Sequence, residues 1–462
     1  MPRRPARFAV RAFTTLVPVL LAGCAAAGHD YARPQMPTPP QYRFTDGTTE
    51  AESLADLPWW QVFDDPALQA LVREAIANNL DLRAALARVE RARAHAGIAK
   101  SFLYPQVDGT ATYTARQNAG GDGVQHNVVY GFQLSWELDL FGRIRREKES
   151  AFAVLLATEQ ARRGVLVTLV GDVASNYFLL RELDAELAIA RQTLGVNNET
   201  VTYFRNRLDG GVSNRLELDR ISANRAATAA VIPDFEQQIA VVEHALSLLA
   251  GRVPGAIVRD EAPPALPPAI PVGLPASLLE RRPDVVQAEQ LLVAANADVG
   301  VAKALFFPTI SLTGFLGGIS GDLASLLGGS GAVWEVSPGL LQPVFNAGRL
   351  RRNVEAARAS FDEALAEYQK AALNGYREVA NALVTMQKLA EVRAQRELAV
   401  MALTDASDLS RSRFDSGLAS YIEILTADQG LFDEQLRLAQ TRGAEFRARA
   451  ELYRALGGGW RP

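Results

Sequence analysis

The chain has 462 residues, 48% of them hydrophobic and 22% charged, with a formal net charge of −4. That composition is too apolar for a disordered protein and lacks the basic excess that nucleic-acid binding needs. One cysteine excludes a disulfide framework, and the four histidines (His29, His95, His126, His244) have no metal-hydrolase spacing.

Residues 1–23 have the layout of a secretory signal. Arg3, Arg4, Arg7 and Arg11 precede an apolar run from Phe13 to Ala22, which is too short to span a bilayer as a helix. The run ends in Leu21-Ala22-Gly23-Cys24, which looks like a bacterial lipobox, so Cys24 is expected to carry covalent lipid. Several acyl chains, at about 0.8 kcal/mol per buried methylene, make an anchor that does not readily leave the membrane. Ala25 stands where an Asp would resemble an inner-membrane retention signal, which points to the outer membrane. Loss of the four arginines with the signal moves the formal net charge from −4 to −8. A Pro-rich stretch, Arg33–Gln41, then leads to Pro58-Trp59-Trp60, so 24–65 reads as a tether with a docking segment.

From about residue 66 the chain repeats itself. Gly97-Ile98-Ala99-Lys100 matches Gly300-Val301-Ala302-Lys303 at an offset of 203, each run leading to a proline, Pro105 and Pro308. Gly142-Arg143-Ile144-Arg145-Arg146 matches Gly348-Arg349-Leu350-Arg351-Arg352 at 206, and Arg207–Val212 matches Arg413–Leu418 at the same offset. Two copies of one supersecondary unit are expected, at 66–260 and 284–462. Seven of the 23 prolines fall in Pro263–Pro283, so 261–283 reads as an extended linker.

Each copy begins with a helical stretch and continues into two strands. Tyr130, Phe132, Leu134, Trp136 and Leu138 alternate with Gly131, Gln133, Ser135 and Glu137, a period-two pattern. Similar alternation predicts strands at about 106–117 and 128–140, then 309–317 and 332–344. The strands of each pair are separated by a glycine-rich loop, Gly120-Gly121-Asp122-Gly123 or Gly328-Gly329-Ser330-Gly331. These loops lack the Gly-Lys-Ser/Thr ending of a phosphate cradle. Strands of about ten residues with one apolar face have the length and pattern of transmembrane β-strands. Four strands cannot close a barrel and lipid does not tolerate an open edge, so closure needs several chains. Three would supply twelve strands and four would supply sixteen.

After the strands come apolar stripes at helical spacing, among them Leu166, Leu169, Val173, Tyr177 and Leu180, and Phe361, Leu365, Tyr368 and Ala372. They predict long helices at 143–208 and 349–414, each roughly 100 Å long, with return helices at 214–250 and 419–456. The intervening turns hold Gly210, Gly211, Val212 and Ser213, and Gly417, Leu418, Ala419 and Ser420; glycine takes the positive φ that ends a helix. No catalytic fingerprint is visible, and Asp64-Asp65 reads as a helix cap before Pro66 rather than an acid pair. Neither an enzyme nor a cofactor is expected beyond the lipid on Cys24.

The chain resembles the TolC-type outer membrane efflux channels, in their lipoprotein (NodT-like) branch serving resistance–nodulation–division pumps. The resemblance rests on Pro58–Leu68, on Leu274–Asp284, on Ala294–Lys303 with Phe306-Phe307-Pro308, on Pro343–Leu350, and on Tyr453–Trp460. Ala347 stands where the family often has glycine. The resemblance implies a homotrimer: a 12-stranded transmembrane β-barrel continued by a long periplasmic α-helical barrel. It also implies passive exit of drugs or other small toxic molecules, driven by an inner-membrane pump through a periplasmic adaptor. The tip turns would meet the adaptor, and Arg413, Asp415 and Glu423 become candidates for a periplasmic gate. Thr426 and Ala419 stand where some members carry charged gate residues. Two other readings are a channel of the same fold for protein (type I) secretion and a lipid-anchored coiled-coil structural protein or adhesin. Lipoprotein character and the Leu274–Asp284 segment favour efflux over secretion.

Overall fold

The computed structural model describes residues 26–40, 65–117, 119, 123–260, 278–321 and 332–458. The signal segment, Cys24, Pro58-Trp59-Trp60, linker residues 261–277, Trp460 and nearly all of both glycine-rich loops lie outside the described residues.

The first half holds α1 (Pro66–Asn78), α2 (Leu80–Ser101), β1 (Gln106–Arg116), β2 (Gln125–Leu138), α3 (Arg143–Asp209) and α4 (Arg215–Leu249). The second holds α5 (Leu278–Arg281), α6 (Pro283–Ala304), β3 (Thr309–Ser320), β4 (Ala332–Leu341), α7 (Arg349–Asp415) and α8 (Tyr421–Ala455). Both long helices have 67 residues and both return helices have 35. Strand β2 starts three residues earlier than the alternation suggests. Strand β4 stops at Leu341, shortly before Pro343.

Local chemistry explains the helix starts. Asp65 Oδ1 accepts from the Leu68 N–H at 3.0 Å with Pro66 at the first helical position, while Asp65 Oδ2 accepts from the Tyr177 hydroxyl at 2.8 Å. At the start of α3 the Asp139 carboxylate accepts from the N–H groups of Ile144 and Arg145 at 3.0 and 2.9 Å.

The single helix expected before the strands in the first half is broken at Asn79, and in the second half the end of the expected extended linker 261–283 is instead the short helix α5, which Arg282 separates from α6. Asn79 Oδ1 caps α2 through Leu82, and its Nδ2 donates to Leu249 O, the last carbonyl of α4. Arg282 Nη1 donates to Ala455 O, the last carbonyl of α8, at 2.8 Å, and also holds Glu378 and Asp284. Each return helix then ends in a glycine of positive φ, Gly251 (69°) and Gly457 (75°). A Cβ on Gly251 would strike the Asn78 backbone, and one on Gly457 would press on Arg282 Cα at 3.1 Å. Sequence matching did not expose these two clasps.

The four strands form one antiparallel sheet in the order β1-β2-β3-β4. The register sorts the side chains by polarity. Val107 opposes Leu134, Leu134 opposes Gly314, Trp136 opposes Leu312, and Leu316 opposes Trp334, so these positions share one face. Asp108 with Gln133, Ser135 with Thr313, and Thr313 with Ser337 lie on the other. Val129, Phe315, Ile319, Val333 and Leu341 are apolar exceptions on that polar face. Tyr130 lies over Gly318, where a Cβ would sit 2.6 Å from its ring.

The described residues divide into two compact units, each drawing on both halves of the chain. One holds the segment up to Met36, Ala87–Gln160 and Gln287–Lys370, including the sheet. The other holds the remaining described segments. In the first unit, residues 26–36 form a strap. Ala27 N–H donates to Phe141 O at 2.9 Å, Asp30 accepts from Arg146 at 2.8 Å, and Arg33 pairs with Glu289 at 2.6 Å. In the second unit, Val170, Val173, Tyr177 and Leu180 of α3 pack in one core with Leu246 of α4 and Leu452 and Tyr453 of α8, all buried. A fully buried aliphatic side chain of this kind contributes about 1.5–3 kcal/mol. Gly443 lets α8 approach α3 so closely that Glu182 fills the space a Cβ would need.

Candidate functional site at the helical tip

The two turns that join long and return helices are built alike. Gly211 and Gly417 have φ of 73° and 72°. Val212 N–H donates back to Arg207 O at 2.9 Å, and Leu418 N–H donates to Arg413 O at 2.8 Å. Each is the six-residue closing bond of a Schellman end, with the apolar residue that normally follows the glycine. Here that residue does not fold back: Val212 and Leu418 are 68% and 71% exposed. Gly210, Gly211, Gly417 and Ser420 are also exposed, while Ser213 and Ala419 are half-buried.

The turns differ in how the return helix begins. In the first, Asn214 Oδ1 accepts from Glu217 N–H at 3.0 Å, and Ser213 Oγ donates to the Glu217 carboxylate at 2.6 Å. In the second, the Ser420 side chain makes no capping bond. Glu423 instead lies 3.6 Å from Arg413, both half exposed. Two of the three gate candidates are thus together; Asp415 makes no ion pair among the described residues.

A buried aromatic cluster lies just behind the turns. Phe204 of α3 meets Tyr421 of α8 with ring centroids 4.4 Å apart, and Phe414 of α7 lies 5.9 Å from both. Ile221 and Ile424 complete it. The Arg207 guanidinium sits 5.5 Å from the ring centres of Tyr203 and Phe414, linking the two hairpins. Burial, reinforced by the Asp428 carboxylate, pushes the Tyr421 hydroxyl up to about 12, so it stays protonated at physiological pH. Asp428 in turn accepts from Arg411 at 2.9 Å and from Ser407. Repeat matching does not reveal Phe204 or Tyr421, because neither has an aromatic counterpart in the other copy. The available signal was a density of aromatic residues within seven positions of each turn.

This chemistry is mechanical: exposed apolar turn tips, one half-exposed ion pair, and an apolar lock between hairpins. Among the described residues no His/Cys/Asp/Glu group is arranged to hold a metal.

Comparison with known proteins places this architecture. The outer membrane efflux protein profile matches residues 71–252 and 274–458. The cation efflux system protein CusC of Escherichia coli K12 is 33% identical over 450 residues, covering 96% of this chain and 98% of CusC. The probable outer membrane lipoprotein SilC of Salmonella typhimurium is 31% identical, covering 96% and 97%. The solved structure of the outer-membrane channel OprN superposes with a TM-score of 0.86 at 32% identity, covering 95% of this chain and all of that one. The chain belongs to the outer membrane efflux protein family, whose place is the bacterial outer membrane.

Proposed function

We propose that this chain is the exit duct of a tripartite efflux pump, working as a homotrimer with twelve strands in the outer membrane and twelve helices in the periplasm. The carrying observation is the sheet register, which gives one apolar and one largely polar face while leaving β1 and β4 as open edges. Backbone groups on such edges cannot stay unpaired in lipid, so β4 of one chain pairs with β1 of the next until the ring closes. The apolar face meets lipid and the polar face lines water. Matching helix lengths and matching clasps support an origin by duplication of one unit.

Transport through this duct is passive and needs no cofactor. An inner-membrane resistance–nodulation–division pump supplies the energy, and a periplasmic adaptor grips the tip turns at Gly210–Ser213 and Gly417–Ser420. Their exposed Val212 and Leu418 support that role. Arg413, Asp415 and Glu423 form the resting gate, and Cys24 carries the lipid anchor. The cargo is a small toxic molecule or ion.

Purified protein in planar bilayers tests the reading. The expected result is a particle of three chains with ohmic single-channel steps. A non-conducting rod or dimer would overturn it. Palmitate labelling tests the anchor separately: Cys24→Ser should abolish the label, and a normally labelled serine variant would remove that assignment.

A further inference from the structure

Four of the five apolar exceptions on the polar face of the sheet lie together, in the half nearer the glycine-rich loops. Val129 opposes Ile319, and Val333 opposes Gly317, which in turn opposes Gly131. The two facing glycines leave a gap without side chains at the centre of this cluster. Phe315 leans into the gap, since a Cβ on Gly317 would sit 2.8 Å from the edge of its ring. Leu341, the fifth exception, is at the opposite end of β4.

The row beside the gap, on the side toward the helices, runs Asp108, Gln133, Phe315, Glu335 across β1 to β4. Carboxylates thus flank the phenyl ring on both sides, and both are exposed. Glu335 accepts from Ser337 Oγ at 2.7 Å, which holds its carboxylate over this face. Neither Asp108 nor Glu335 has a cationic partner among the described residues. Glu137, another acid of the same face, is held by Arg143 at 2.7 Å. Pairing of β4 with β1 of the next copy uses backbone groups at the edges and leaves this face turned to the interior. Twelve strands about 4.8 Å apart and tilted by about 40° make a backbone cylinder about 24 Å across, wide enough for these side chains to meet solvent.

We propose that Val129, Phe315, Ile319 and Val333, with Asp108 and Glu335, form a wall site for amphipathic organic cations, one per copy, near the exit of the duct. The apolar body of such a molecule rests on the aliphatic side chains around the glycine pair. Its positive head lies against the phenyl ring and between the carboxylates. A hydrated inorganic cation gains from the carboxylates alone, and an apolar neutral molecule gains from the apolar cluster alone. Only a cation with an apolar body uses both. The site lies on the loop side of the sheet, so it is reached from outside without passing the helical tip. The proposal rests on the polar sheet face being the lumen.

The test is block of single-channel current through the full-length protein in planar bilayers, with tetrabutylammonium or tetramethylammonium added on the loop side. The two ions have one charge each and differ in apolar surface. Wild type should reach half-block at an about fivefold or greater lower concentration of tetrabutylammonium than of tetramethylammonium. The double variant Phe315→Ser, Ile319→Ser should bring the two concentrations near parity. Ile319→Ser alone, at an exposed position, should at least halve the preference, which keeps the test decisive where the double variant does not assemble. Glu335→Gln should weaken block by both ions about threefold and leave their ratio unchanged. Equal block of the wild type by the two ions would overturn the proposal, as would an unchanged preference in the serine variants. Gln133→Cys, treated with a charged methanethiosulfonate, reports the lumen reading separately through a change in conductance. A silent Gln133→Cys channel removes that reading and the site with it, whereas a responsive one without apolar preference overturns the site alone.

Discussion

Asn79 Nδ2 donates to the Leu249 carbonyl at 3.0 Å, so a side chain at one helix break closes the last turn of a helix 170 residues further on. Arg282 does the same for Ala455 across 173 residues. Both groups are buried, so loss of either leaves a helix-end carbonyl without its partner. Asn79→Ala should cost about 1–2 kcal/mol, combining a lost cap with an orphaned acceptor. Arg282→Ala should cost about 3 kcal/mol or more, because Glu378 loses its buried cation. Urea unfolding followed by near-UV circular dichroism measures both. Hydrogen exchange should quicken first at the C-terminal turns of α4 and α8.

The close approach of Gly443 and Glu182 makes a second prediction. Gly443→Ala forces its new methyl group into the Glu182 side chain, whose Cβ lies 2.7 Å from the required position. The variant should be destabilised by about 2–3 kcal/mol. Adding Glu182→Ala should restore part of that loss. The double-mutant cycle then gives a favourable coupling energy, and strict additivity would refute direct contact.

Burial pushes the Glu186 carboxyl up, although Gln440 donates to it at 2.7 Å. The folded protein therefore holds this proton more tightly than the unfolded chain. The resulting stability is present below the ordinary carboxylate range and is lost as pH rises through the raised value. Glu186→Gln keeps an acceptor for Gln440 and removes the buried charge. It should raise the melting midpoint of the helical part by about 2 °C at pH 7 and leave it unchanged near pH 4.

At the tip, Tyr421→Ala removes the ring that joins the hairpins and should raise resting conductance. Tyr421→Phe should leave it near wild type. The Arg413–Glu423 pair is half exposed, so its loss should change stability by less than about 1 kcal/mol. Any conductance rise on replacing Arg413, Asp415 and Glu423 with Ala then reports gating rather than unfolding. Unchanged conductance in the single and combined variants would eliminate the gate and leave the docking turns standing.

The two sheet faces should respond differently to charge. Leu134 lies on the apolar face between Val107 and Gly314, so Leu134→Asp should block outer membrane assembly at a cost of a few kcal/mol. Gln133→Glu, on the polar face, should assemble normally. Heat-modifiable migration on gels and outer membrane fractionation measure both, and equal behaviour would exclude the barrel.

What could be read in the sequence was local. Alternation from Tyr130 to Leu138 marks a strand because the side-chain period is a property of neighbouring residues, and Gly211 and Gly417 mark turns because φ is a property of one residue. What could not be read joins distant positions without periodicity. Phe204 meets Tyr421, Asn79 meets Leu249, and Arg33 meets Glu289, and nothing local distinguishes these side chains from solvated ones. The three residues proposed as a gate show the limit from the other side. Arg413 and Glu423 meet across a turn, whereas Asp415, closer in sequence to Arg413, does not join them.

The strap carries a consequence for the order of events during biogenesis. Arg33 finds its partner 256 residues later, and His29 accepts from Asn296 across 267. A chain still emerging from the translocation machinery has no Glu289 or Asn296 to offer until most of its length has crossed. The strap therefore closes in two stages: Ala27 and Asp30 can meet Phe141 and Arg146 of the first half early, while His29 and Arg33 are fastened only once the second half is in hand.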